Sequence, residues 1–280
     1  MTDTLPAPAT ATAAPHPRLS LNQATIKYAD LATALAVTAD AGVQSIGLWR
    51  EPVAEVGLDT AVRLVADSGL RVSSLCRGGF FTGTRPEREA TEDNRRAVDE
   101  AATLGSPILV LVCGPAIAGD IATAEADIRR GIERLLPAAH DAGVTCAIEP
   151  FHPMFLAERS AIVTLEQANR ILDEFADPAL AIALDTYHVW WDPALPAGLQ
   201  RATGRIAAVH IADWLVPTPS LLTGRGLPGD GVIPLAKMLT DITATGFTGP
   251  MEVEVLNPQV WQRPIAEVAH EVRTRMAHLA

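Results

Sequence analysis

The chain has 280 residues, with 22 Lys and Arg against 33 Asp and Glu, and a formal net charge of -11 at pH 7. Nucleic-acid backbones are held by clustered cations, so this balance argues against a polyanion partner. Hydrophobic residues at 48% and charged residues at 20% exclude a disordered chain, and the length fits either two ordinary domains or one large α/β barrel.

Cys76, Cys113 and Cys146 are odd in number and far apart, which is neither a disulfide framework nor a zinc knuckle and suits a reducing compartment. Residues 1–18 hold Pro, Ala and Thr without a basic start or an apolar run; they are expected to be a disordered tail rather than a signal peptide. No stretch approaches the ~20 apolar residues that cross a bilayer. The expectation is a soluble, cytoplasmic protein with no membrane partner.

From residue 19 onward, short β-rich runs alternate with segments of helical period, the mark of parallel βα units. The first strand spans 19–24, with a helix over 29–41 closing at Gly42. The second is 45–49, with a helix over 58–68 ending at Gly69, and the third is 71–76, with a helix over 88–104 ending at Gly105. Glycine recurs there because a helix commonly ends in a left-handed residue. The fourth strand, 108–113, is almost wholly apolar, as a strand buried on both faces must be, and the helix after it spans 121–141. Strands over 145–149 and 180–185 follow, with a helix over 165–175 between them and a short one near Leu199. The seventh strand, 206–211, leads through a long loop to a helix over 234–245; the eighth, 250–255, precedes a last helix over 264–278. Eight pairs predict one α/β domain over 19–280, a single (β/α)8 barrel with catalytic groups at the C-terminal strand ends.

Strands five to eight end in Glu149 of AIEPF, Asp185 of ALDTYH, His210 of AVHIAD and Glu254 of VEVLN. A charge after an apolar run is costly unless paired or bound to a metal. In a barrel these four positions converge on one mouth, and their oxygen and imidazole donors suit Mn2+ or Mg2+ while permitting Zn2+ or Co2+. Glu252 shares the side-chain parity of Glu254, but Glu254 is nearer the strand end and is the better ligand.

With these four, DTYH at 185–188, VHIAD at 209–213 and GRGLPGDG at 224–231 resemble the xylose isomerase-like superfamily of sugar isomerases and epimerases. The order from IEP to VEVLN is similar to that of an inosose isomerase or a ketose 3-epimerase. The resemblance implies one Mn2+ or similar ion on Glu149, Asp185, His210 and Glu254, with His188 and Arg225 touching substrate oxygens. It also implies a homodimer or homotetramer. A carbon acid next to a carbonyl needs a positioned base and a cation for the charge that develops on oxygen. The metal would stabilise the ene-diolate, while Glu149 and Glu254, on opposite faces of the substrate, take and return the proton.

Several further side chains fall near the mouth. His152 follows Glu149; Trp49 and Arg50 close strand two, Arg77 closes strand three and Trp214 follows strand seven. Aromatic faces stack on sugar C–H surfaces, so Trp49, Trp214, Arg77 and His152 are expected to line a carbohydrate-like site. Trp190 and Trp191 cap the pocket, cover the rim or meet another subunit. Lys27, past strand one, receives no role. Arg225 sits in a glycine-rich loop able to close over the site.

The sequence departs from ketose 3-epimerases in PFHPMFLAE, where apolar residues replace a further substrate-binding Glu, which favours a cyclic or aryl-bearing ligand. The nearest rival is a lyase, since the same base and metal can expel a group from the neighbouring carbon. Inosose dehydratases, dehydroshikimate dehydratases and keto-glycoside eliminases share this plan. An endonuclease IV-like enzyme would need extra His ligands and a basic rim. A non-catalytic or partner-dependent barrel is the third alternative.

Overall fold

The computed structural model describes residues 16–279. Of the expected tail, residues 1–15 lie outside the described residues, but 16–18 are not part of a tail. The Arg18 guanidinium donates to Phe247 O at 2.7 Å and Thr243 Oγ1 at 2.8 Å, and its carbonyl accepts from Met251 N at 2.6 Å. The ordered fold therefore begins before the first strand, because Arg18 closes the seam between the first and eighth strands.

Eight parallel strands form a closed barrel: Leu19–Asn22, Ser45–Trp49, Arg71–Gly79, Ile108–Val112, Thr145–Ile148, Leu180–Asp185, Ile206–Ile211 and Met251–Val253. The first strand closes the ring by pairing with the eighth, Leu19 opposite Met251. The expected strands are all present, with ends displaced for local reasons. The first stops at Asn22 because that side chain accepts from Ala24 N and starts the turn Gln23–Ile26. The third runs on to Gly79, where the backbone lies so close to its neighbour that a Cβ would stand 2.1 Å from Val112 O. The fifth stops at Ile148, although the next amide, Glu149 N, still donates to Leu111 O at 3.1 Å.

The helices Leu31–Asp40, Leu58–Ser68, Glu87–Thr103, Ile121–Ala142, Leu165–Phe175, Leu195–Arg201, Leu235–Ala244 and Ile265–Ala277 surround the barrel. Leu165–Phe175 shows how the sequence sets one of them. Thr164 and Gln167 form a capping box, worth about 1 kcal/mol, and Leu165, Ala168, Ile171 and Leu172 turn one apolar stripe into the core. Gly42, Gly69 and Gly105 take φ of 73°, 69° and 72°, the left-handed ends expected of them. An extra helix, Arg50–Val56, directly follows the second strand and is broken from the next by Gly57 at φ 79°. It carries Arg50 away from the expected mouth: its guanidinium reaches Glu100 at 2.5 Å and Asp93 at 3.1 Å. Among the described residues no helix is long and apolar enough to cross a membrane.

The barrel wall and the helices share one large apolar core, while a smaller interior cluster contains Val110, Ala147, Ala183 and Ala208. Side chains alternate along a strand, so the residues two positions on, Glu149, Asp185 and His210, also point inward. With Glu254, two residues on from the inward-facing Glu252, this parity turns four scattered polar residues into one site.

Gly47 marks the tightest approach inside the second strand, where a Cβ would stand 2.0 Å from Glu252 Oε2 and 2.8 Å from Asn22 Nδ2. Replacing Gly47 by Ala is expected to destabilise the fold by about 1–3 kcal/mol through overpacking. Denaturant titration checks this, and an unchanged midpoint would show that Glu252 moves aside freely.

Candidate metal centre and its cavity

Glu149, Asp185, His210 and Glu254 each offer one ligand atom, and these atoms lie within 4.8 Å of one another. All four residues are at least 96% buried. Donors bound at roughly 2.0–2.4 Å from an ion stand up to about 4–5 Å apart, so the group fits a divalent cation in size as well as chemistry. Glu254 is the member that closes the set. Glu252 lies deeper, accepts from Asn22 Nδ2 at 2.8 Å and faces His210 Nε2 at 3.7 Å. It thus backs the imidazole from the side away from the ligand atoms. His210 Nε2 is buried without a hydrogen-bond partner, and Nδ1 lies 3.0 Å from Glu149 Oε1.

Three buried carboxylates need positive charge. Arg225, itself 3% exposed, supplies it by donating from Nη1 to Asp185 Oδ2 at 2.7 Å and to Glu254 Oε2 at 2.8 Å. Burial opposes its charge, but Asp185, Glu254 and Glu149 hold its pKa above the ordinary value. The Arg225 loop is pinned rather than open. Asn257 Nδ2 donates to Arg225 O, and the Asp213 carboxylate accepts from the amides of Trp214, Gly229, Gly231 and Ile233 at 2.8–3.0 Å. A short antiparallel pair, Asp213–Trp214 with Arg225–Gly226, completes the clasp.

Burial raises the Glu149 pKa to about 7 against the pull of His210. Burial works against the His210 charge, yet Glu254, Glu149 and Glu252 hold its pKa well above normal. In metal-free protein the pair therefore retains a proton near neutrality, whereas a bound cation requires neutral imidazole and ionised carboxylate. Metal binding is expected to release protons, with affinity rising as pH climbs through about 7. Calorimetry in two buffers of different ionisation enthalpy checks this; a heat independent of buffer would contradict it.

A cavity of about 370 Å³ opens above the cluster and is lined by Glu149, Glu254, Trp49, Arg77 and Arg225 among others. Trp49 is held by Nε1 donating to Asn22 Oδ1 at 2.8 Å, and the Arg77 guanidinium lies over its ring at 5.3 Å. His188, 1% exposed, lies behind this lining. Its ring stacks on Phe151 at 4.2 Å, and its Nε2 accepts from Arg225 Nη2 at 3.3 Å. Burial, helped by Arg225, lowers its pKa to about 3, so it is neutral and orients Arg225.

His152 and Trp214 are not among the residues lining the cavity; their rings stack on each other at 5.2 Å. Trp214 also stacks on Tyr187 at 4.7 Å and meets Trp190 at 5.7 Å, while Trp191 Nε1 donates to His188 O. These rings form the wall behind His188. The sequence assigns Lys27 no role and does not single out Arg159, both at the mouth, or Phe151, Leu222 and Leu256, which supply the apolar lining. A period-two reading reaches Leu256 from Glu254, but Arg159 and Leu222 come from irregular loops with no periodic signal.

A second depression of about 460 Å³ lies outside the barrel between the helices after strands three and four. Its cations are paired locally, Arg85 with Asp93, Arg130 with Asp127 and Arg134 with Glu87, so it offers no convergent chemistry.

Known proteins share this architecture. A crystal structure of protein SMc04130 from Sinorhizobium meliloti 1021 is 44% identical, with a TM-score of 0.89 over 92% of this chain and 97% of that one. The IolI protein with a bound zinc atom is 21% identical, with a TM-score of 0.79 over 94% and 97%. A 3-dehydroshikimate dehydratase of Pseudomonas aeruginosa is 31% identical over 70% of this chain, which spans only 31% of that enzyme's length. The L-ribulose-5-phosphate 3-epimerase UlaE of Salmonella paratyphi A is 26% identical over 77% of this chain and 76% of its own. The sequence pattern of the xylose isomerase-like TIM barrel matches residues 35–277, and the chain belongs to that family.

Proposed function

We propose that the protein is a divalent-metal-dependent isomerase or epimerase of a keto-sugar, inosose or related polyol. The observation that carries this reading is the convergence of Glu149 and Glu254 with Asp185 and His210 at the floor of a cavity of substrate size. Glu149, Asp185, His210 and Glu254 would hold the ion, Mn2+ being preferred for the oxygen-rich set and Zn2+ supported by the zinc-bound IolI protein. The cation supplies positive charge where the substrate oxygen becomes negative.

The chain's own groups then carry the protons. Glu149 and Glu254 reach the site from the fifth and eighth strands, so one carboxylate takes the proton next to the carbonyl and the other delivers one on the opposite side. Burial, with Glu254 and Asp185 beside it, raises the Glu149 pKa in the metal-free site, and a bound cation would lower it and leave the carboxylate ionised to take a proton. Arg225, oriented by neutral His188, offers a second positive group toward substrate oxygens. Trp49 and Arg77 bind the rest of a small carbohydrate-like molecule.

The likeness to a 3-dehydroshikimate dehydratase favours one second reading, elimination of water by the same base. Incubating Mn2+-loaded protein in D2O with inososes, ketoses, 3-keto glycosides and 3-dehydroshikimate separates them. Deuterium in a product of unchanged formula establishes isomerisation or epimerisation. Loss of water or of an aglycone establishes a lyase, and no exchange in any substrate rejects both.

A further inference from the structure

The metal-ligating residues occupy strands five to eight, and the facing wall of the cavity comes from strands one to three. That wall carries Lys27 and Arg77, and the loop after strand five adds Arg159, in a chain of net charge -11. Ion pairing within the described residues accounts for Arg77 in part and for neither of the others. Lys27 Nζ lies 4.8 Å over the Trp261 ring, and among the described residues no carboxylate pairs with it. The half-buried Arg159 is tied down by its backbone, which donates to Phe155 O at 2.8 Å and accepts from Gly114 N at 3.0 Å. Its guanidinium has no hydrogen bond or ion pair within the described residues. Arg77 is wedged against Trp49 and Phe80 at 5.3 and 5.5 Å. One amino group meets Glu51 at 3.2 Å, while its Nε is buried without a partner.

The acids of this rim do not cancel these charges. Glu51 and Glu55 line the same cavity, but the Glu51 side chain is 57% exposed and Glu55 is exposed, so water and salt screen both. The cations come instead from three separate segments that meet around one cavity, and a guanidinium with an unsatisfied buried N–H gains most from a charged oxygen acceptor.

We propose that the substrate carries an anionic group, a carboxylate or a phosphate, at the end remote from the carbon that loses its proton. Arg77 and Arg159 bind this group, with Lys27 completing the site. The inference rests on the enolisation reading for which end of the substrate faces the metal, but the anion site stands on its own geometry. It makes neutral ketoses and inososes poor ligands, and it gives Lys27 and Arg159 a function that no helix, strand or core requires.

The test compares ligands that differ by one anionic group, by calorimetry on Mn2+-loaded protein: shikimate against its methyl ester, and L-ribulose 5-phosphate against L-ribulose. At least one anion should bind roughly tenfold or more tightly than its neutral partner, and which pair shows the gap names the anion. The double variant Lys27→Gln/Arg159→Gln, whose changes lie on the rim, should lose the gap while keeping Mn2+ affinity and melting temperature. Arg77→Lys should keep the charge but lose part of the gap, because the planar fork is gone. Equal binding of both members of each pair, no binding of either anion at millimolar concentration, or a gap untouched in the double variant overturns the proposal. Solvent-deuterium exchange into 3-dehydroshikimate and L-ribulose 5-phosphate, followed in the parent protein, reports separately on the enolisation reading.

Discussion

Glu254→Gln is expected to lower solvent-deuterium exchange by about a thousandfold, within the 10²–10⁴ span that a positioned base contributes. The change is nearly isosteric. Gln retains a carbonyl oxygen to accept from Arg225 Nη1, which reaches Glu254 Oε2 at 2.8 Å, so the barrel should fold and melt close to the parent. What Gln cannot do is take a proton at neutral pH. Near-parent exchange in a folded Glu254→Gln protein would leave Glu149 as the sole base and end the two-carboxylate mechanism.

His210→Ala is expected to lower affinity for Mn2+ or Zn2+ at least a hundredfold and to remove activity with it. His210 is the one nitrogen donor in the group, and its imidazole also separates Glu149 from Glu252. Without it, like charges meet in a buried place, which opposes ionisation of both. Chelation of the parent protein should reproduce the loss of activity, and added Mn2+ or Co2+ should restore it. Full activity in metal-free parent protein would reject the metal-dependent mechanism, whereas unchanged metal affinity in His210→Ala would move the ligand set elsewhere.

The barrel was legible because its evidence is periodic. Fully apolar runs such as 108–112, buried at every position, alternate with amphipathic helices that stop at left-handed glycines. The quartet was legible for the same reason, since each member extends the inward parity of a strand end. Glu252 shares that parity, and only the depth of its side chain beside Asn22 separates it from Glu254.

Away from the strands that logic stops working. Arg50 and Trp49 are neighbours in sequence, yet the helix starting at Arg50 sends that guanidinium outward to Glu100 while Trp49 turns to Asn22. His152 and Trp214 follow strand ends as closely as the quartet does, but they satisfy each other by stacking. Arg159 reaches the mouth through a turn after strand five whose path is set by hydrogen bonds to Gly114 and Phe155. Such positions depend on tertiary contacts that carry no period in the chain.

The Asp213 clasp divides the long loop after the seventh strand into two unequal parts. Four amides on one carboxylate hold Trp214 and the segment from Gly229 to Ile233, while Arg225 is fixed separately by Asn257. The residues from 215 to 224 form an excursion between two fastened ends, and Leu222 of that excursion lines the cavity. Between those ends Leu221 O accepts from Tyr187 Oη at 2.9 Å, and the Tyr187 ring lies 4.8 Å from the Arg225 guanidinium, so the excursion is also tied to the position of that charge. A substitution at Leu222 would therefore reshape the cavity lining directly, whereas a change of loop length would also reach Arg225 through Tyr187.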